Sequence, residues 1–507
     1  MLSRRDGLVA LAIAALSSGK GFAALPQAPG GDSPFSWELL KALALRIADR
    51  PWRAPQPVSA AQLLSYDDIA RVNYRPEKSL WAGSGDSETR FFPLQHAANL
   101  PVDIAVVEKG VARPFTFSAD LFAVKADAKG IKPTLAPGFA GFRLMNANGR
   151  GDWLAFQGAS YFRSAGQFDQ YGLSARGLAV NTGIDGREEF PLFTRFWLER
   201  GPGSTIIIYA LLEGRSVTGA YRFVTRQTPA GPVQDVSLMV HLRADVQRLG
   251  FAPLTSMFWY GEGNRAAGID WRPEVHDSDG LALWTGAGER VWRPLVNPPQ
   301  PIINAFADKA PRGFGLLQRD RRFADYQDDS AFYEKRPNLW VEPKGDWQAG
   351  SVMLYEIPTR KEIEDNIVAF WVPSAPARKG DSYALDYRLN WTGIDPLPAT
   401  MARAVDSWTG TAGPPGSEPV DGARRLVVDF SGKTLVGLTR NSGVEAMVSV
   451  ASGKLLGTYV YPVVGAAPRW RMIVDVGQER RKASNIRAYL KRGGDALSET
   501  FLYDLYS

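Results

Sequence analysis

The spacing of apolar positions along this chain changes period near residue 75. Ahead of that point, residues 36–50 place Leu39, Leu43 and Ile47 four apart, on one face of a helix, with Ser36 as its N-cap and Pro51 as its stop. A second short helix is expected over residues 60–70, ending before the extended stretch Asn73-Tyr74-Arg75-Pro76. Beyond it the period becomes two. In residues 236–243 one face reads Val, Leu, Val, Leu and the other Ser, Met, His, Arg, the signature of a half-buried strand. On that reading His241 faces solvent or a groove. Runs of the same kind at 205–212 and 220–225 recur between Gly-containing turns, which predicts a large antiparallel β-sandwich.

Between residues 391 and 423 the alternation lapses into Pro396, Pro398, Gly410, Gly413, Pro414, Pro415, Gly416 and Pro419, a density that strand interiors do not tolerate. A domain boundary is placed here. Short apolar runs then resume at 426–430, 444–450, 455–461, 470–476, 486–490 and 500–505, separated by turns such as Asn441-Ser442-Gly443 and Gly493-Gly494. The expected fold class is mainly β: a large N-terminal antiparallel β-sandwich over 32–395, and a smaller C-terminal immunoglobulin-like β-sandwich with its linker over 396–507. The smaller domain is expected to pack against the larger and to bury no catalytic residue.

Residues 1–24 carry Arg4-Arg5, then the uncharged stretch Gly7 to Ser18, then small residues around Ala23-Ala24, the layout of a cleavable export signal. The uncharged stretch falls short of the roughly 20 residues that span a bilayer as a helix, so no stable membrane insertion is expected. The paired arginines resemble a twin-arginine signal. Either kind of signal takes the protein out of the cytoplasm.

Composition narrows the chemistry. At 507 residues, with 45% apolar and 22% charged, the chain is long enough for two sizeable cores and is far from a disordered composition. The net charge of +6 comes from 59 basic and 53 acidic residues that are interspersed, so no basic stripe for nucleic acid is visible. The chain has no Cys, which excludes disulfides and thiol catalysis, and its 3 His (His96, His241, His276) lack metal-ligand spacing. Neither metal nor other cofactor is expected.

Two places concentrate reactive groups. Residues 259–298 interleave Arg265, Trp271, Arg272, Glu274, His276, Asp277, Asp279, Trp284, Trp292 and Arg293. Indole faces stack on sugar rings while carboxylates and guanidinium groups satisfy hydroxyls, so the mixture suits a carbohydrate site; tryptophans packed in a core are the competing reading. A second acidic group, Glu362, Glu364 and Asp365, directly precedes the apolar run 367–371. An acid at the mouth of a buried strand is placed to have its pKa raised, as a general acid requires, although a charged turn accounts for it equally. Spacing alone does not select one pair among the 53 acids.

Several segments resemble the OpgG/OpgD family of periplasmic glucan biosynthesis proteins, with a tilt toward the OpgD branch. They include Tyr74-Arg75-Pro76-Glu77-Lys78-Ser79-Leu80-Trp81, Gly158-Ala159-Ser160-Tyr161-Phe162-Arg163, the run from Tyr171 to Ala179, Arg272-Pro273-Glu274-Val275-His276-Asp277-Ser278-Asp279, and Asp365-Asn366-Ile367-Val368. The resemblance implies periplasmic work on β-1,2-glucan, as an inverting endo-β-1,2-glucanase; a transglycosylase or cyclising enzyme and a non-catalytic glucan-binding scaffold remain alternatives. It implies Asp365 as general acid and Asp277 as general base, with proton transfers relayed through a substrate hydroxyl and bridging water. Asp279 is the rival base, on the same side as Asp277 if the segment is extended, with His276 pointing oppositely as a hydrogen-bond partner. Tyr333, Trp271, Arg272, Glu274, His276, Asp279, Tyr161 and Arg163 are the candidate substrate contacts. The partner is β-1,2-glucan, nucleic acid is not one, and a homodimer is left open.

Overall fold

A computed structural model describes residues 31–413, 416, 418–478 and 482–506. The export signal expected over 1–24 lies outside the described residues. The protein is mainly β, with two large sheets packed face to face. The first, of 16 strands, runs in hydrogen-bonded order from Ser33–Pro34 through Val111–Pro114, Asp103–Glu108, Leu192–Arg200, Ile206–Glu213, Val217–Arg226 and Val233–Leu242. It continues through Ser382–Thr392, Asn338–Lys344, Gly313–Leu317 and Gly280–Trp284 to Arg290–Pro294 and on into C-terminal strands. The second, of 10 strands, includes Ala349–Glu356, Ile367–Pro373, Leu249–Ser256, Ser174–Arg176, Tyr161–Ser164 and Asp152–Gln157.

Period-two alternation places the core between these sheets. Val236, Leu238 and Val240 of the first sheet share one apolar cluster with Leu254, Ala369 and Trp371 of the second. Each Val or Leu side chain so buried contributes on the order of 2 kcal/mol.

The outer face of the first sheet is covered by the helix Trp37–Ala48, which starts where expected: Ser36 Oγ accepts the Leu39 N–H at 3.2 Å. The buried stripe is Leu40, Ala44 and Ile47, packed on Ala105, Val107, Trp197, Tyr209 and Leu211, with Leu39 only half-buried. Positions i, i+4 and i+7 stay within one narrow stripe, whereas 39, 43 and 47 drift around the helix. The helix also corrects the reading of His241. That side chain is 7% exposed and its Nδ1 meets Ser382 Oγ at 2.7 Å. Alternation had identified its face of the strand, but it could not say that a helix lies over that face. The second expected helix is interrupted, as a 3₁₀ turn Ala60–Gln62 and a helical turn Tyr66–Ile69. Ser65 restarts the helix as a new N-cap, accepting the Asp68 N–H while Asp68 Oδ2 accepts its own.

The C-terminal strands divide between two sheets. Arg403–Thr411, Ala423–Ser431, Arg469–Gly477 and Lys454–Pro462 form a four-stranded sheet. Thr500–Leu505, Ser484–Arg492 and Val444–Val450 extend the large sheet, because Thr500–Leu505 pairs in parallel with Arg290–Pro294. The core follows the same seam, with Ala282, Trp292, Leu317 and Trp340 clustering with Leu426, Phe430, Trp470 and Phe501. Buried charge crosses it as well. Arg293, 2% exposed, donates to Glu356 Oε2 at 3.0 Å and Asp504 Oδ2 at 2.7 Å. Arg319 pairs with Glu499 at 2.6 Å, its guanidinium lying 3.6 Å from the centre of the Trp292 ring. Among the described residues no helix is long and apolar enough to cross a membrane.

Candidate active site

The two acid-bearing segments, far apart in sequence, meet at the end of one strand. Leu249–Ser256 pairs with Ile367–Pro373, Ser256 lying opposite Ile367. Just past that point the Asp277 N–H donates to the Met257 carbonyl at 2.8 Å, while Asn366 holds both backbone groups of Phe258. Asp277 and Asp365 are therefore each anchored, directly or through the next residue, to the adjacent residues Met257 and Phe258.

Their surroundings differ. Asp365 opens to solvent at the strand mouth, yet desolvation by the surrounding walls raises its pKa, an effect that Arg176, Arg163 and Arg336 only partly offset. Asp277 is buried, 6% exposed, and forms an ion pair with Arg336. The guanidinium supplies the countercharge that a buried carboxylate requires. Arg336 itself stacks on Tyr333, 3.9 Å from the ring centre.

Arg272 organises the neighbouring surface. Its guanidinium donates to Asp270 Oδ2 at 2.7 Å, to Asp328 Oδ2 at 2.8 Å and to both Glu362 oxygens at 2.8 and 3.0 Å. The hydrogen bonds from Arg272 lower the pKa of Glu362 despite its burial. Burial opposes ionisation of Asp328, but the N–H groups of Ala331 and Ser330 outweigh it and hold the carboxyl at about 2. Both carboxylates stay charged at neutral pH, which leaves Glu362 an acceptor for the Tyr333 hydroxyl. The loop holding Arg272 is thereby joined to the loop holding Asp365.

The remaining candidates separate into those at the surface and those beneath it. Trp271 is 69% exposed, and Arg163 is exposed with its guanidinium 4.7 Å from the Tyr171 ring centre. Tyr161 is half-buried under Arg176, whose guanidinium carbon lies 4.8 Å from its ring centre. Tyr333 is wholly enclosed, and its hydroxyl donates to Glu362. Glu274, His276 and Asp279 face inward, lining a cavity that also touches Glu262, Asp320 and the C-terminal residues Ser407 and Tyr503.

This inward cluster corrects the expected pairing of sides. His276 Nε2 lies 2.8 Å from Glu274 Oε2 and 3.3 Å from Asp279 Oδ1, so Asp279 keeps company with His276 and not with Asp277. The strand Val275–His276 ends before Asp277, and bends at Asp277 and Asp279 break the alternation on which that expectation rested. Asp279 is further committed to the Arg319 and Asp320 N–H groups.

Glu274, His276 and Asp279 have ligand atoms within 4.8 Å of one another, as do Glu262, Glu274 and Asp320. Burial opposes charging of His276, but Asp279 and the hydrogen bond to Glu274 lift its pKa to about 9. Its Nδ1 reaches Gln318 Oε1 at 3.0 Å, so both ring nitrogens have acceptors, as an imidazolium requires. A protonated imidazole is a countercharge for the acids around it.

The aromatic-rich segment 259–298 is thus divided among three environments. Trp271, Arg272 and Asp277 belong to the candidate site, and Glu274, His276 and Asp279 lie behind it. Trp259 and Trp292 are core residues, 8% and 4% exposed, while Arg290 and Arg312 both lie over Trp284. Sequence reasoning missed Arg336, Asp328 and Gln318. Gln318 Nε2 donates to the carbonyls of both His276 and Tyr333. Arg336 and Asp328 lie within five residues of Tyr333, and Gln318 has no such signal, since an Arg, an Asp and a Gln outside any motif are common surface residues.

Comparison with known proteins covers nearly the whole chain. The family model described as periplasmic glucan biosynthesis protein, MdoG, matches residues 35–505. The chain is 43% identical to the probable glucans biosynthesis protein D of Shewanella oneidensis, over 98% of this chain and 92% of that one. It is 40% identical to glucans biosynthesis protein D 2 of Ralstonia nicotianae, over 100% and 98% of the two chains. It is likewise 40% identical to glucans biosynthesis protein D of Xanthomonas oryzae pv. oryzae, over 99% and 98%.

Proposed function

The chain belongs to the family of the periplasmic glucan biosynthesis protein MdoG, on its D branch, and on that footing we propose that it is a periplasmic glycoside hydrolase that cuts β-1,2-glucan internally with inversion. Asp365 is the general acid and Asp277 the general base. The observation that carries this reading is the asymmetry of the two carboxyls beside Met257 and Phe258. An inverting hydrolase needs one carboxyl that keeps its proton for the leaving oxygen and one that stays ionised to activate water. Desolvation favours the protonated form of Asp365. The contact with Arg336 favours a carboxylate at Asp277.

Asp277 is buried, so its proton is carried from the attacking water by a relay of water and substrate hydroxyl rather than by direct contact. Trp271 offers an exposed indole for stacking on a glucose ring, and Arg163, Tyr161 and the Glu362 network supply polar contacts for the hydroxyls. Tyr333 acts through Glu362.

The test is to incubate the mature protein, Asp365→Asn and Asp277→Asn with linear β-1,2-glucan and to resolve the products by size and linkage. Short linear oligosaccharides that disappear in both variants support the reading. Cyclic or rearranged products assign a transglycosylase in its place, and glucan binding without any product assigns a scaffold.

A further inference from the structure

The exposed Trp271 and the ion-paired Arg272 sit on a long connection. Phe258–Tyr260 and Val275–His276 are a paired strand couple, and the chain between them projects away from the strand end that carries Asp277. A connection of this length holds one conformation only if something outside it fixes its course. Its far side is fixed at Arg272, through Glu362, and at Asp270, whose Oδ1 accepts the Tyr260 hydroxyl at 2.9 Å.

Its near side, the 3₁₀ turn Glu262–Ala267, is held by the C-terminal part of the chain. The Ser407 N–H donates to Glu262 Oε1 at 2.7 Å, and Thr409 Oγ1 donates to the Gly263 carbonyl at 2.7 Å. Both donors lie on the strand Arg403–Thr411. Gly263 also abuts the last strand, since a Cβ there would lie 2.9 Å from the Tyr503 hydroxyl, a separation that real side chains do not show. The C-terminal part therefore meets the connection at consecutive residues, by an acid, a carbonyl and a close backbone approach.

We propose that Thr409 and Glu262 are positioning residues through which the C-terminal part sets the glucan-binding connection, so that the small four-stranded sheet serves substrate binding without contributing a catalytic group. This rests on the assignment of β-1,2-glucan as substrate. The hydroxyl of Thr409 ties the turn, the turn orients Asp270 and Arg272, and Arg272, held by Glu362, sets the course of the adjoining Trp271. Loosening the first tie lowers the fraction of molecules with the binding surface formed. That raises KM and leaves the chemistry at Asp365 and Asp277 intact.

Thr409→Val removes the hydroxyl at nearly constant shape, and Thr409→Ser restores the donor. The expected result is a KM for linear β-1,2-glucan raised about five-fold in Thr409→Val. Its kcat stays within two-fold, and both values return toward wild type in Thr409→Ser. Hydrogen exchange of the full chain supplies a readout that does not depend on turnover, with amides of 262–272 exchanging faster in Thr409→Val and in Glu262→Ala while those of the strand Thr500–Leu505 keep their protection. Unchanged exchange over 262–272, or exchange that rises equally across Thr500–Leu505, overturns the proposal. A wild-type protein inactive on the glucan sinks the assigned activity, and the exchange pattern still decides the tie.

Discussion

Asn366 holds Phe258 by both edges of its amide: its Oδ1 accepts the Phe258 N–H at 2.8 Å and its Nδ2 donates to the Phe258 carbonyl at 3.0 Å. The same Nδ2 donates to the Ile357 carbonyl at 2.8 Å, and the side chain is 2% exposed. One buried amide thus does the work of a strand partner at the point where the Leu249–Ser256 ladder with Ile367–Pro373 ends.

Asn366→Ala strands a buried N–H and two carbonyls, which costs about 2–4 kcal/mol. The expected outcome is a lower Tm by thermal denaturation and a fall in kcat larger than the rise in KM, because Asp365 is the next residue. Asn366→Asp keeps the acceptor but loses both donated bonds, and is expected to behave like the alanine variant.

Arg336→Met leaves Asp277 a buried carboxylate without its countercharge. Such a group takes up a proton or destabilises the fold, and a proton on Asp277 removes the general base. Glucan turnover should fall on the order of 10²-fold or more. Arg336→Lys, which keeps the charge but not the planar contact with Tyr333, should recover part of it. Turnover equal to wild type in Arg336→Met would remove Asp277 from the mechanism.

The buried imidazolium makes stability depend on pH. His276 is lifted from 6.5 to about 9 by Asp279 and Glu274 against the opposing effect of burial. A folded-state pKa above the unfolded value means that the stabilisation is fully present below about pH 6.5 and is lost as pH rises through about 9, an effect of at most about 3 kcal/mol. Denaturant titrations from pH 6 to pH 10 should therefore show falling stability in the wild type. Burial also raises the pKa of Glu262, Glu274 and Asp320, which adds a fall of the same sign; the imidazole is therefore followed by NMR over the same range, and a ring already neutral at pH 7 would overturn the assignment.

Truncation after Pro396 removes Thr500–Leu505 from its pairing with Arg290–Pro294 and uncovers Ala282, Trp292, Leu317 and Trp340. It also leaves Arg293 without Asp504 and Arg319 without Glu499. An exposed sheet edge beside an exposed apolar patch favours aggregation. The truncated chain is expected in the insoluble fraction, and solubility after expression is the measurement. A soluble, cooperative melt would show that the first 396 residues hold a self-sufficient core.

Much of the architecture was legible because strand alternation is local. Val236, Leu238 and Val240 announce an inward face, and Ser36 with Pro51 brackets a helix, since each of these signals depends on residues within one or two turns or pleats. The course of Glu274 to Asp279 was not legible. Alternation assumes an extended backbone, and the bends at Asp277 and Asp279 turn Asp279 toward His276. The aromatic-rich segment 259–298 shows the same limit, since its composition is uniform along the chain while its side chains enter three different environments.

The sequence by itself determined that the protein is mainly β, that reactive groups concentrate near 271–279 and 362–365, and through quoted motifs which family it resembles. Only the tertiary structure decided which of those groups stand together. Pairing of Leu249–Ser256 with Ile367–Pro373 carries Asp365 to the strand end where Asp277 is tied. Arg336, which carries no motif, pairs with Asp277 there. The physical reason is that the period of a strand specifies which face each side chain occupies, whereas its neighbours on that face come from hydrogen-bonded partners distant in sequence. The environment that raises or lowers a carboxyl's pKa is made of those neighbours.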